Sequence, residues 1–68
     1  MSVRVTEIIG TSKASWGDAA KEALAAAASS LRDLRIAEVV NQDIALDEKG
    51  HFESFRTKLR VSFKYEQH

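Results

Sequence analysis

The stretch His51–Tyr65, HFESFRTKLRVSFKY, decides how this 68-residue chain folds. Phe55, Leu59, Val61, Phe63 and Tyr65 share one parity with Thr57. Ser54, Arg56, Lys58, Arg60, Ser62 and Lys64 hold the other. Successive side chains of a strand point to opposite faces, so this alternation predicts a strand with one apolar and one basic face. It is preceded by Asp47–Gly50 (DEKG), a hairpin turn with a glycine free to take positive φ.

Across that turn, Leu34–Asp47 reads as a long partner strand with imperfect alternation. Leu34, Ile36, Val40, Ile44 and Leu46 fall on one parity, and Ala37, Val39 and Ala45 on the other. Apolar residues on both parities predict that both faces are covered. Further out, Ser15–Leu31 reads as a helix with Ser15 as N-cap and Asp18 three residues on. Asp18 and Glu22 suit the positive end of the helix dipole, and Arg32 the negative end. Trp16, Ala20, Ala23, Leu24, Ala27 and Leu31 form its stripe, rich in alanine, which lets a sheet approach closely. Ser2–Gly10 reads as the first strand, with Val3, Val5 and Ile9 on one parity. The order β-α-β-β predicts an α+β fold, a three-stranded antiparallel sheet wrapping one helix, in a single domain spanning 1–68.

Composition sets the frame around this core. Ten of the apolar residues are alanine, and 19 larger hydrophobes remain once Met1 is set aside. A chain this small is marginal alone and is normally helped by disulfides, a metal or oligomerisation. Cysteine is absent, which removes disulfides and thiolate metal sites and leaves oxygen-ligated ions. One helix can cover only one face of the sheet, so the second cover is expected to be another subunit. Ten basic and ten acidic residues balance, which argues against a nucleic-acid binder. No apolar run approaches the roughly 20 residues that span a bilayer. Met1–Gly10 lacks a basic segment followed by an apolar one, so a cytoplasmic protein with no membrane partner is expected.

The candidate site residues are few. Asp43 and Asp47 lie on one face of an extended strand but about 13 Å apart. A single ion therefore needs a bulge, the turn or a second copy to join them. Asn41 shares their parity. Calcium takes 6–8 oxygens, a requirement that carboxylates of neighbouring chains, carbonyls and water could meet. Glu7 interrupts an apolar parity and calls for a salt bridge to the last strand, with metal ligation in reserve. The stripe Arg56, Lys58, Arg60, Lys64 reads as salt-bridge partners of Glu38 and other acids, since no aromatics interleave with it as they do in nucleic-acid platforms. Histidines 51 and 68 are isolated, without a zinc spacing, and Gly10-Thr11-Ser12 has too few glycines for a phosphate loop. No nucleophile, base and acid can be assembled, so no enzyme is expected.

Several of these segments coincide with a known pattern. Glu7–Ser12 (EIIGTS), the alanine-rich helix, Leu34–Val40 (LRIAEVV) and Leu59–Phe63 (LRVSF) make the chain resemble the dodecins, β-α-β-β proteins that form hollow dodecamers. The resemblance implies a homododecamer, with Asn41 where dodecins line a threefold channel. Typical dodecins stack paired flavins against a tryptophan of the second strand and bond them through a glutamine of the third. Here those positions hold Ile36 and Arg56. Isoleucine cannot stack as an aromatic does, and guanidinium cannot accept a hydrogen bond, so flavin binding should be lost or weakened. Trp16 does not replace the missing ring; it reads as a core residue at the helix start. Thr11–Trp16 (TSKASW), Arg35–Ala37 (RIA), Gln42–Asp47 (QDIALD) and Val61–Lys64 (VSFK) are similar to the calcium dodecin subgroup. That implies calcium as ligand, with Asn41, Asp43 and Asp47 as candidate metal residues, in a non-catalytic storage or sequestration shell. A flavin-binding dodecin with a modified pocket, and an assembly with no native ligand, are the alternatives.

Overall fold

The structure, a computed structural model, describes residues 2–65. It contains β1 (Ser2–Ser12), α1 (Trp16–Ala28), β2 (Leu34–Leu46) and β3 (Phe52–Tyr65), in the predicted order. The strands form one sheet in the order β1-β3-β2, antiparallel at both junctions. The strand with the cleanest alternation is thus the central one. β1 and β2 are both edges.

The pairing register sorts the sheet into two faces. On the helix side, Thr57, Leu59 and Val61 of β3 stand beside Gly10, Ile8 and Thr6 of β1. On the other side, Arg56, Lys58, Arg60, Ser62 and Lys64 stand beside Thr11, Ile9, Glu7, Val5 and Val3. The apolar parity read in β1 is therefore the face turned away from the helix, and Val3 is 66% exposed. The uneven alternation of β2 has a physical cause. Register shifts between Leu34 and Ile36 and between Val39 and Asn41 each switch the parity. As a result Leu34, Ala37, Val39, Gln42 and Ile44 fall on the helix side, and Ile36, Glu38, Asn41 and Asp43 on the other.

The helix begins where expected, with the Ser15 hydroxyl accepting from the Asp18 N–H at 3.0 Å. It ends three residues before Leu31, so Arg32 is not in its last turn. The Ser29 hydroxyl donates back to the Ala26 carbonyl at 2.6 Å, and Asp33 takes a positive φ of 55° as the chain turns into β2. Ala19, Ala23 and Ala27 are its buried residues. Ala19 lies outside the predicted stripe; Trp16, Ala20 and Leu24 are only partly covered. Gly10 explains the close approach. A β-carbon there would fall 1.9 Å from the Ala19 carbonyl oxygen and 2.9 Å from the Ala23 β-carbon. The core is completed by Leu59 and Val61, with Ile8, Ala20, Leu24, Leu31 and Leu34 packed against it. Thr57 is fully buried, and its hydroxyl donates to the Trp16 carbonyl at 2.8 Å.

The helix packs on β1 and β3. β2 is less covered, and none of its residues is buried. The chain measures 51 Å along its longest axis with a radius of gyration of 13.9 Å, against about 11 Å for a compact chain of this length. Its accessible surface of 4986 Å² exceeds the roughly 4300 Å² of a compact monomer of this mass.

Candidate functional site

The face turned away from the helix carries the polar chemistry, arranged in rows across the three strands. One row is Glu7–Arg60–Glu38, with Arg60 Nη2 3.2 Å from Glu7 Oε2 and Nη1 3.4 Å from Glu38 Oε1. Lys58 Nζ adds a third contact, 3.6 Å from Glu7 Oε1. These are the expected partners of the basic stripe and of Glu7. All are substantially exposed, so each pair contributes at most about 1 kcal/mol.

The neighbouring rows hold two of the predicted metal residues. The register shift at Val40 brings Asn41 opposite Lys58 and Asp43 opposite Arg56. Asp43 is gripped by Arg56 through two bonds, Nε to Oδ1 at 2.8 Å and Nη2 to Oδ2 at 3.1 Å. Asn41 Nδ2 also donates to Asp43 Oδ2, at 3.3 Å. The Arg56 guanidinium hydrogen-bonded to it, with Lys58 nearby, holds the Asp43 carboxyl below its ordinary range. Arg56 is raised by the same partner. Ile9, Asn41, Asp43, Arg56 and Lys58 line a small hollow of about 60 Å³. Behind it, the Asp43 backbone carbonyl accepts from Trp16 Nε1 at 3.0 Å. The Trp16 ring meets Phe55 edge-on with centroids 5.0 Å apart, the structural role expected of it.

Asp47 stands apart, in the hairpin. Its Oδ1 accepts the backbone N–H groups of Lys49 and His51, both at 2.9 Å. Its carbonyl accepts from the Gly50 N–H at 3.0 Å, and Gly50 takes φ of 81°. This is the short-range bonding by which an aspartate shapes a turn. Asp47 Oδ2 lies 3.9 Å from His51 Nδ1. Leu46, Asp47, Glu48, Lys49, His51 and Glu53 border an open hollow of about 600 Å³. Among the described residues, no three His, Cys, Asp or Glu side chains come together as a metal site. His68 lies outside the described residues.

The two positions assigned to flavin by resemblance are far apart within one chain. Ile36 sits opposite Ser62, and Arg56 lies six residues back along β3, about 20 Å away. Ile36 is 68% exposed. A pocket containing both needs more than one copy. What the sequence does not reveal is that Arg56 and Asp43 face each other, because the register between their strands depends on the bulge at Val40.

No helix among the described residues is long and apolar enough to cross a membrane. A family model described as Dodecin matches residues 3–66. The chain is 51% identical over 65 residues to the calcium dodecin of Mycobacterium tuberculosis, covering 94% of this chain and 90% of that protein. A crystal structure from the same organism, described as a calcium-chelating calcium dodecin with a novel calcium-binding site, matches with a TM-score of 0.85 at 45% identity, over 97% of this chain and 93% of that one. The dodecin from Streptomyces davaonensis matches with a TM-score of 0.86 at 27% identity, over 97% and 96%. The dodecin from Streptomyces coelicolor gives 0.87 at 28%, over 98% and 94%. Sheet order, helix placement and these matches agree from one end of the described chain to the other: it belongs to the dodecin family.

Proposed function

We propose that this chain is the subunit of a hollow, non-catalytic homododecamer that binds calcium, as a store or a sink. The observation that carries this reading is its 51% identity, along nearly its full length, to a protein named calcium dodecin. The uncovered β2 supports the assembly, because its apolar side chains need other copies of the chain to bury them.

The donor chemistry at Asn41, Asp43 and Asp47 suits calcium, which prefers carboxylate and carbonyl oxygen. The number of donors in one chain does not suffice, since Asp47 stands in the hairpin away from Asp43. A calcium ion would therefore be shared between subunits, with water completing its shell. Flavin fits less well: Ile36 offers no ring to stack on, and the guanidinium of Arg56 is already committed to Asp43.

Thermal unfolding with calcium and with EDTA, alongside elemental analysis of the purified protein, tests this. A ligand that binds only the folded state at 100 times its Kd stabilises it by about 2.7 kcal/mol. Calcium should raise the midpoint, EDTA should lower it, and Asp43→Asn should abolish the shift. A midpoint indifferent to both reagents, in a protein free of metal, defeats the calcium reading. A purified protein absorbing near the flavin band would restore the flavin alternative.

A further inference from the structure

We infer that each chain makes two separate contacts with other copies of itself. One runs through Val3, Val5 and Ile36 on the face turned away from the helix, the other through Val39, Ile44 and Leu46 on the helix side of β2. This rests on the assembly reading above and names the surfaces that would build it.

The two patches differ in place. Val5 and Ile36 stand on either side of Ser62 in one row of the outer face, and Val3 is two residues away along β1. These three are 66%, 59% and 68% exposed for Val3, Val5 and Ile36. The ion-pair row Glu7–Arg60–Glu38 borders them on the same face. An apolar centre with a polar rim is the anatomy of a protein interface. Val39 and Ile44 stand on the opposite face, beside Leu59 and Phe55, and Leu46 follows Ile44 by strand alternation. They are 53%, 44% and 58% exposed in that order. The helix packs on β1 and β3, and the helix-side positions of β2 from Ala37 to Ile44 carry no charge. Phe55 lies about 24 Å from Ser62 along β3. A neighbour seated on one patch is thus on the wrong side of the sheet, and at the wrong end, to cover the other.

Area and symmetry point to a second copy as the occupant of each. The accessible surface of 4986 Å² exceeds that of a compact monomer by roughly 700 Å², close to the roughly 800 Å² per partner of a stable interface. Every other copy brings the same apolar side chains. One self-matching contact stops at a dimer, and one head-to-tail contact makes a ring or a filament. A hollow shell of identical chains therefore needs two different contacts, and the chain carries two patches.

Native mass spectrometry of wild type, Ile36→Glu, Val39→Glu and the double variant tests this, with circular dichroism confirming that each is folded. Each single variant should lose the full assembly and stop at a smaller oligomer, held by the contact that remains. The double variant should be a monomer. Val3→Glu and Leu46→Glu, farther from the core, should repeat the two single results and stand in for a variant that does not fold. A folded single variant that keeps the full wild-type mass, or one that falls directly to monomer, would overturn the two-contact proposal while leaving the assembly intact. A monomeric wild type would overturn the assembly reading and this inference with it.

Discussion

β3 and β2 are nearly equal in length, pair along most of that length and carry comparable apolar content, yet they stand in different surroundings. β3 has sheet neighbours on both sides and the helix above it, and supplies Thr57, Leu59 and Val61 to the core. β2 is an edge strand touched from the helix side only at places such as Leu34 and the Trp16–Asp43 bond, and none of its residues is buried. An apolar pattern in a strand thus reports demand for cover and not who provides it. For β3 the cover is in the same chain. For β2 it has to come from elsewhere, and the proposed shell of identical subunits supplies it.

The largest effect is expected at the seam between helix and β1. Gly10→Val places side-chain carbon inside the Ala19 carbonyl, so the helix must lift off the sheet. We expect a loss beyond the roughly 1–3 kcal/mol of ordinary overpacking, read as failure to show a cooperative transition in circular dichroism. Full stability in Gly10→Val would break the account of the close helix approach.

Leu59→Ala and Val39→Ala sharpen the contrast directly, because the two residues face each other across the β2–β3 junction on the helix side. Leu59 is 2% exposed and should cost about 2–5 kcal/mol in urea unfolding. Val39, 53% exposed in the single chain, should cost little in the chain itself. In the proposed assembly its apolar surface lies between subunits, so its effect should appear as an unfolding midpoint that depends more steeply on protein concentration. Equal, concentration-independent losses would show that β2 is buried within its own chain.

Thr57→Val is a smaller perturbation. It keeps the shape but leaves the Trp16 carbonyl without its buried donor, for an expected loss of about 1–3 kcal/mol. A neutral result would mean that water reaches that carbonyl.

The smallest effect concerns the polar face. Arg56 depresses the Asp43 carboxyl below its ordinary value of 3.8. A group whose pKa is lowered on folding stabilises the fold above its unfolded pKa. That contribution fades as pH falls through the folded value. The pair therefore adds a small, salt-sensitive stability at neutral pH that is lost below about pH 4. Carbon-detected titration should show Asp43 returning toward 3.8 in Arg56→Gln; an unchanged titration would locate the cause elsewhere.

Much of the fold is legible in the residues. The alternation of His51–Tyr65 locates the central strand, Ser15 locates the helix start, and the basic stripe predicts its acidic partners. The faces of β2 are not legible, because single extra residues at Arg35 and Val40 reverse the parity and nothing in their identity marks a bulge. The core side of β1 is obscured for another reason. Three of its four aliphatic residues, Val3, Val5 and Ile9, face away from the helix, while Ile8 faces it beside the small or polar Thr6 and Gly10. The same bulge hides the pairing of Asp43 with Arg56. Asp47 reads as a candidate ligand because a carboxylate near a turn can serve two purposes; the bonds of its Oδ1 to the Lys49 and His51 N–H groups add the turn-shaping one, which its spacing does not announce.

In the proposed assembly, β2 and the outward apolar residues are covered by other copies of this chain in a calcium-binding shell. Native mass spectrometry from a calcium-containing buffer tests it most directly. Twelve copies of the 7.6 kDa chain predict a species of about 91 kDa, carrying additional mass in steps of one calcium ion that EDTA removes. A folded 7.6 kDa monomer with no bound metal would contradict the account.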